Sequence, residues 1–286
     1  MVALLALGCG GASRAAEPPA TEARGQARTE ARGQARTEAI EGGDALFAER
    51  GLEGAFVVRR ADGADRVIGG ERVDARFMPA STFKIPNTLI GLETGVIPDA
   101  SFTLPWDGQE RAIAAWNQDH DLRGAIQESV VWWYQELARR VGHERMRELV
   151  TGMRFGNADI GGEDAIDRFW LEGPLAISPR EQIDFLSRLT RGELPVSARS
   201  VAILREVISS EARGEAVVRW KTGTHQIEDG SGHTWMVGWV EDGGETTAHF
   251  ALLLLAGDND ELASHMSARR PLVMELLERE GLVPPA

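Results

Sequence analysis

The chain of 286 residues has one cysteine, one tyrosine and only two lysines among its 31 basic side chains. A single cysteine, Cys9, leaves the folded body without a disulfide, so cysteine usage says nothing of the redox compartment. The six histidines, at positions 120, 143, 225, 233, 249 and 265, are scattered. His143 and Glu144 open an HExxH-like stretch, "HERMREL", but its second histidine is missing, so no metal site is expected. Positive charge is also in deficit. The net charge is −13 and no basic stripe stands out, which argues against nucleic acid as a partner. Residues 1–42 carry five Arg and five Glu, so the whole −13 belongs to residues 43–286. No apolar run reaches 18 residues, so no membrane-spanning helix is expected.

What is present is a globular composition, 43% hydrophobic with eight tryptophans, able to bury a sizeable core. Residues 1–20, "MVALLALGCGGASRAAEPPA", read as a signal-like or lipoprotein-like leader, with Gly8 before Cys9. That predicts a periplasmic or secreted protein, whose only route to a membrane is a lipid anchor at Cys9. Residues 21–42 repeat "TEARGQAR" twice and then "TEA"; without apolar periodicity they read as a low-complexity tether. The folded body is placed at 43–286.

Within that body, "GAFVVRR" and "RVIGG" around the turn "ADGAD" predict a β-hairpin over 54–70. From about 80 to 212 the patterning is mainly helical. Strands return at 216–224, 234–241 and 249–257, and "RRPLVMELLERE" predicts a closing amphipathic helix over 269–280. The expected fold is α+β: a mostly antiparallel sheet built from N- and C-terminal strands, flanked by helices, with a largely helical central subdomain.

The two lysines, Lys84 in "PASTFKIPN" and Lys221 in "WKTGT", carry the chemistry. Pro79 and the apolar run after it mark a helix start, and residues three apart share a helix face, so Ser81 and Lys84 can meet. Free backbone N–H groups at a helix start favour nearby negative charge, which suits a serine attacking a carbonyl. A lysine base must first lose its proton. With an ordinary pKa of about 10.4, only about one part in a thousand is neutral near pH 7.4. Apolar burial lowers that pKa by roughly 3–5 units, and Phe83, Val130, Val131, Trp132 and Trp133 can supply the surroundings. Arginine cannot substitute, because it stays charged.

The Ser-x-x-Lys spacing is joined, in order, by "SVV" at 129–131, "FGN" at 155–157, "FWLEG" at 169–173 and "KTGT" at 221–224. As a set these resemble the class D serine β-lactamases, the oxacillinases of the penicillin-recognising family, over most of residues 43–286. The resemblance implies that Ser81 is the acylated nucleophile for a small-molecule β-lactam. It implies that Lys84 is carbamylated by carbon dioxide, with no other cofactor. Trp170 matches the tryptophan that steadies the carbamate, and Val131 the apolar residue beside it. Ser129 matches a proton relay to the leaving nitrogen. Lys221, Thr222 and Gly223 match the strand lining the other wall, with Lys221 as a compact cation. The backbone N–H groups of Ser81 and Thr224 match the oxyanion hole. Arg269 matches the arginine that grips the substrate carboxylate, with Arg270 next door as a competing assignment.

One departure is informative. The family's usual Tyr-Gly-Asn is Phe155-Gly156-Asn157, and phenylalanine has no hydroxyl to serve as a base. The single tyrosine, Tyr134, lies outside any matching motif. The runner-up reading is a β-lactam-sensing receptor domain that acylates without turnover. A monomer and a homodimer are both compatible with the sequence.

Overall fold

The computed structural model describes residues 36–60 and 63–285. The leader, Cys9 and most of the repeat lie outside the described residues. The fold's unit starts at Thr37, and Thr37–Ala39 forms strand β1. That lies ahead of residue 43, within the stretch assigned to the tether. Ile40, just after β1, is buried, so the body's first apolar anchor falls inside the repeat-like sequence.

Six longer strands complete one sheet: β2 (Glu53–Arg60), β3 (Asp65–Ile68), β6 (Ser209–Arg213), β7 (Ala216–Gln226), β8 (Gly232–Asp242) and β9 (Glu245–Ala256). Strands β4 (Thr103–Leu104) and β5 (His120–Asp121) form a small separate pair. The large sheet runs β1-β3-β2-β9-β8-β7-β6, antiparallel throughout except for the β1–β3 pair. The expected sheet from both chain ends is therefore present. Strand β6 was not expected. Its residues alternate between partial burial and exposure and include no large apolar side chain, so nothing marks them as a strand at an edge.

Eight helices occur among the described residues: α1 (Gly43–Glu49), α2 (Lys84–Glu93), α3 (Leu122–Gln127), α4 (Val131–Val141), α5 (His143–Met153), α6 (Pro179–Thr190), α7 (Ala198–Val207) and α8 (Asn259–Arg279). The run "FALLLLA" on β9 is apolar at every position because both faces of the sheet are covered. Phe250, Leu252 and Leu254 pack with Leu46 and Phe47 of α1 and Leu272, Leu276 and Leu277 of α8. Ala251 and Leu253 face the opposite core, with Trp235, Phe83, Trp133 and Trp170. Helix α6 starts where the sequence says it should. Ser178 and Glu181 form a capping box and Pro179 is the first helical residue. Helix α8 begins about ten residues before the expected start, capped by Asp258, whose side chain accepts from the Glu261 N–H at 2.9 Å. No helix among the described residues is long and apolar enough to cross a membrane.

Candidate active site

The site lies where the start of α2 meets the free edge of β7. Strand β6 pairs with β7 only from Ala216 to Trp220, so among the described residues no strand lies on that side of residues 221–226. The chain before α2 takes that place. Ala80–Phe83 form a 3₁₀ turn, and the α-helix proper begins at Lys84, three residues later than Ser81. Ala80 has φ of +47°, a left-handed value that breaks the helical ladder just ahead of Ser81. The turn is braced from three sides. Thr82 Oγ1 donates to Pro79 O at 2.7 Å and accepts from Gln182 Nε2 of α6 at 2.9 Å. His233 Nε2 and Trp235 Nε1 of β8 both donate to Met78 O, at 2.8 and 3.0 Å.

Gly223 shows how closely strand and turn approach. A Cβ there would lie 2.9 Å from Pro79 O and 3.1 Å from the Ser81 nitrogen, so any other residue would push the turn off the strand.

Lys84 is fully buried, with Nζ 2.7 Å from Ser81 Oγ and 5.2 Å from the ring centre of Tyr134. Among the described residues no carboxylate pairs with it. Burial first, and the charge of Lys221 second, push its pKa well below the ordinary lysine value. Lys221, also buried, places Nζ 3.1 Å from Ser129 Oγ and donates to its neighbour's carbonyl, Thr222 O, at 2.9 Å. Burial and then Arg269 push it down to about 7, so near neutral pH the second lysine is part cation and part free amine. Ser129 has φ of +57°, a second strained non-glycine residue beside the two lysines. Val131, two residues on, is the half-buried first residue of α4.

An aromatic cluster backs the lysine. Phe83, the residue before Lys84, stacks on Trp170 at 5.5 Å and meets Phe169 and Phe155 edge-on at 5.0 and 5.6 Å. Trp170 is fully buried and its indole N–H has no hydrogen-bond partner among the described residues, an uncommon state for a buried donor. Phe155 fits because its surroundings are apolar rings. Its neighbour Asn157 holds the Trp170 loop in place: Nδ2 donates to Pro174 O at 2.8 Å, and Oδ1 accepts from the Ala176 N–H at 3.1 Å.

The adjacent arginines separate cleanly. Arg269 Nη1 donates to Thr224 Oγ1 at 3.0 Å and Thr234 Oγ1 at 2.5 Å, on the site side of α8. Arg270 turns away to pair with Glu211 and lies over the Trp220 ring. Close contacts thus join Lys84 to Ser81, Gly223 to the Ser81 turn, Lys221 to Ser129 and Arg269 to Thr224, while Trp170 packs behind them on Phe83.

Sequence reasoning missed Gln182, Thr234, His233 and Trp235, which act from distant elements and carry no local signature. It also missed that Tyr134 packs beside Lys84. Its hydroxyl is committed to Thr88 Oγ1 at 2.7 Å, and burial raises its pKa above the ordinary tyrosine value, so it cannot act as a base. Among the described residues no three His, Cys, Asp or Glu side chains converge to hold a metal ion.

This arrangement of serine, buried lysine and strand-borne lysine lies wholly inside a matched family region. The model of the penicillin binding protein transpeptidase domain matches residues 61–278. Relatives narrow the class. The chain is 40% identical over 240 residues to the β-lactamase OXA-5 of Pseudomonas aeruginosa, covering 83% of this chain and 87% of the relative. It is 42% identical over 215 residues to the β-lactamase OXA-48 of Klebsiella pneumoniae, covering 75% and 78%. The crystal structure of the class D β-lactamase YbXI from Nostoc superposes with a TM-score of 0.76 at 38% identity, covering 83% of this chain and 97% of the other. The chain belongs to the class D β-lactamase family.

Proposed function

We propose that this β-lactamase opens the lactam amide of penicillin-type antibiotics through an acyl-enzyme on Ser81, with Lys84 as a lysine that carbon dioxide modifies. The observation that carries this is Lys84 itself: fully buried, unpaired with any described carboxylate, and 2.7 Å from Ser81 Oγ. A lysine in that position is driven to the neutral amine, the form that reacts with carbon dioxide. The Trp170 N–H, unpartnered among the described residues, offers a buried donor for the product, with the Phe83 ring stacked on the indole as an apolar wall; Val131 is assigned as the apolar residue beside it. Carbon dioxide bound there supplies a carboxylate-like general base for acylation and deacylation.

The chain's own groups divide the remaining work. Ser81 Oγ attacks the lactam carbonyl carbon and gives up its proton on the Lys84 side. The backbone N–H groups of Ser81 and Thr224 receive the developing oxyanion. Ser129, 3.1 Å from Lys221 Nζ, delivers a proton to the departing nitrogen, and the Lys221 ammonium supports that transfer. Arg269 holds the substrate carboxylate at the far end of β7. Water then releases the acyl group from Ser81. An exported location, periplasmic or secreted, fits the leader-like residues 1–20. The test is turnover of a chromogenic cephalosporin by purified protein, with and without bicarbonate. Stable acylation without turnover would support a sensor domain instead.

A further inference from the structure

Thr234 is fully buried on β8 opposite Thr224 of β7, and its hydroxyl is the centre of a closed hydrogen-bond network. The proton positions follow from counting. Thr234 Oγ1 donates its one proton to Gly223 O at 3.0 Å. At the 3.0 Å contact between the two threonine hydroxyls, Thr224 must then be the donor. Thr234 Oγ1 also accepts from Arg269 Nη1 at 2.5 Å, which fills both its lone pairs. Arg269 Nη1 sends its second proton to Thr224 Oγ1 at 3.0 Å.

Arg269 is therefore pinned through one nitrogen by two neutral oxygens. A guanidinium has five N–H donors, and two are spent on the threonines. Nothing among the described residues accepts from Nε or Nη2, the side-on edge that receives a carboxylate in bidentate fashion. Pinning by hydroxyls rather than by a carboxylate leaves the full positive charge available to a ligand. The same hydroxyl ties the Gly223 carbonyl, so the arginine and the strand beside Ser81 share one anchor.

We propose that Thr234 is a positioning residue that fixes the Arg269 guanidinium beside Thr224 with its Nε and Nη2 donors unspent, and thereby sets affinity for substrates bearing an ionised carboxylate. This rests on the proposed reading of Arg269 as the carboxylate clamp. Without the anchor the guanidinium must be ordered anew each time a substrate binds, which weakens binding rather than chemistry.

The test is steady-state kinetics of Thr234→Val and Thr234→Ala, with Thr234→Ser as the conservative control and melting curves for all three. The probes are a penicillin with its free carboxylate and the same penicillin as its methyl ester. For the free acid, KM rises about tenfold in Thr234→Val with kcat within about twofold, the pattern of lost uniform binding. Thr234→Ser keeps the wild-type KM, and kcat/KM for the ester is the same in every variant. An unchanged KM in Thr234→Val and Thr234→Ala overturns the proposal, as does an equal loss for acid and ester. If Thr234→Val does not fold, Thr234→Ala decides alone. A wild-type protein that turns over neither probe contradicts the hydrolase reading and is thereby distinguished from failure of the Thr234 proposal.

Discussion

Lys84 Nζ lies 2.7 Å from Ser81 Oγ, and the lysine has no solvent exposure. A folded-state pKa well below the unfolded value means the unfolded chain binds the proton more tightly. Stability then rises with pH across the window between the folded pKa and about 10.4. Below that window's upper end the buried amine costs stability. Lys84→Met should therefore melt higher than wild type at pH 8 in carbon-dioxide-free buffer, by roughly 2–4 °C for each kcal/mol released. The difference should shrink as pH approaches 10. The same variant should lose about 10²–10⁴ in turnover, the usual worth of a general base. Lys84→Arg should be as inactive, since a guanidinium does not deprotonate.

Lys221 gives a second titration, in the opposite functional sense. Its pKa is pushed down to about 7, so the ammonium proposed to support Ser129 is present below that pH and lost above it. We expect an alkaline limb near pH 7 in kcat/KM. In Lys221→Arg the limb should vanish from the accessible range, because arginine stays charged. A wild-type profile flat from pH 6 to 9 would remove Lys221 from the proton path.

Trp170→Phe keeps an aromatic ring but removes the unpartnered indole N–H. If that donor holds the modified lysine, the variant should need more bicarbonate for half-maximal activity, by about tenfold for a lost charged hydrogen bond of roughly 1.5 kcal/mol. Saturating bicarbonate should restore most of the rate. A bicarbonate titration of both proteins measures this directly, and superposed curves would contradict it.

Asn157 acts through the loop that carries Trp170. Asn157→Ala removes the donor to Pro174 O and the acceptor for the Ala176 and Asp159 N–H groups. The expected loss is about 1–3 kcal/mol of stability, held at the low end by exposure of the side chain. Denaturant unfolding reads that loss, and the bicarbonate requirement should rise in parallel as the loop loosens.

The order of chemical motifs was readable because each is a short local stretch: Ser81 with Lys84, Ser129 with Val131, and Lys221 through Thr224. The sheet was readable where strands are apolar on both faces, as in β9. Strand β6 was not, because an edge strand of Ser, Glu, Ala and Arg has no apolar alternation. Strand β1 was hidden inside a repeat whose composition reads as a tether. The helix expected from Pro79 begins instead at Lys84, since Ala80 adopts a left-handed φ that sequence does not announce. Arg269 and Arg270 are indistinguishable in sequence; the geometry of α8 puts one on Thr224 of β7 and the other on Glu211. Thr234 and Gln182 act across tertiary contacts, which no local pattern encodes.

The decisive measurement is hydrolysis of a chromogenic cephalosporin by the purified protein after carbon dioxide is stripped from the buffer, followed by addition of bicarbonate. Turnover should fall on depletion and recover on addition in wild type, while Lys84→Ala stays inactive throughout. Full activity in carbon-dioxide-free buffer, or surviving activity in Lys84→Ala, would contradict the assignment of Lys84.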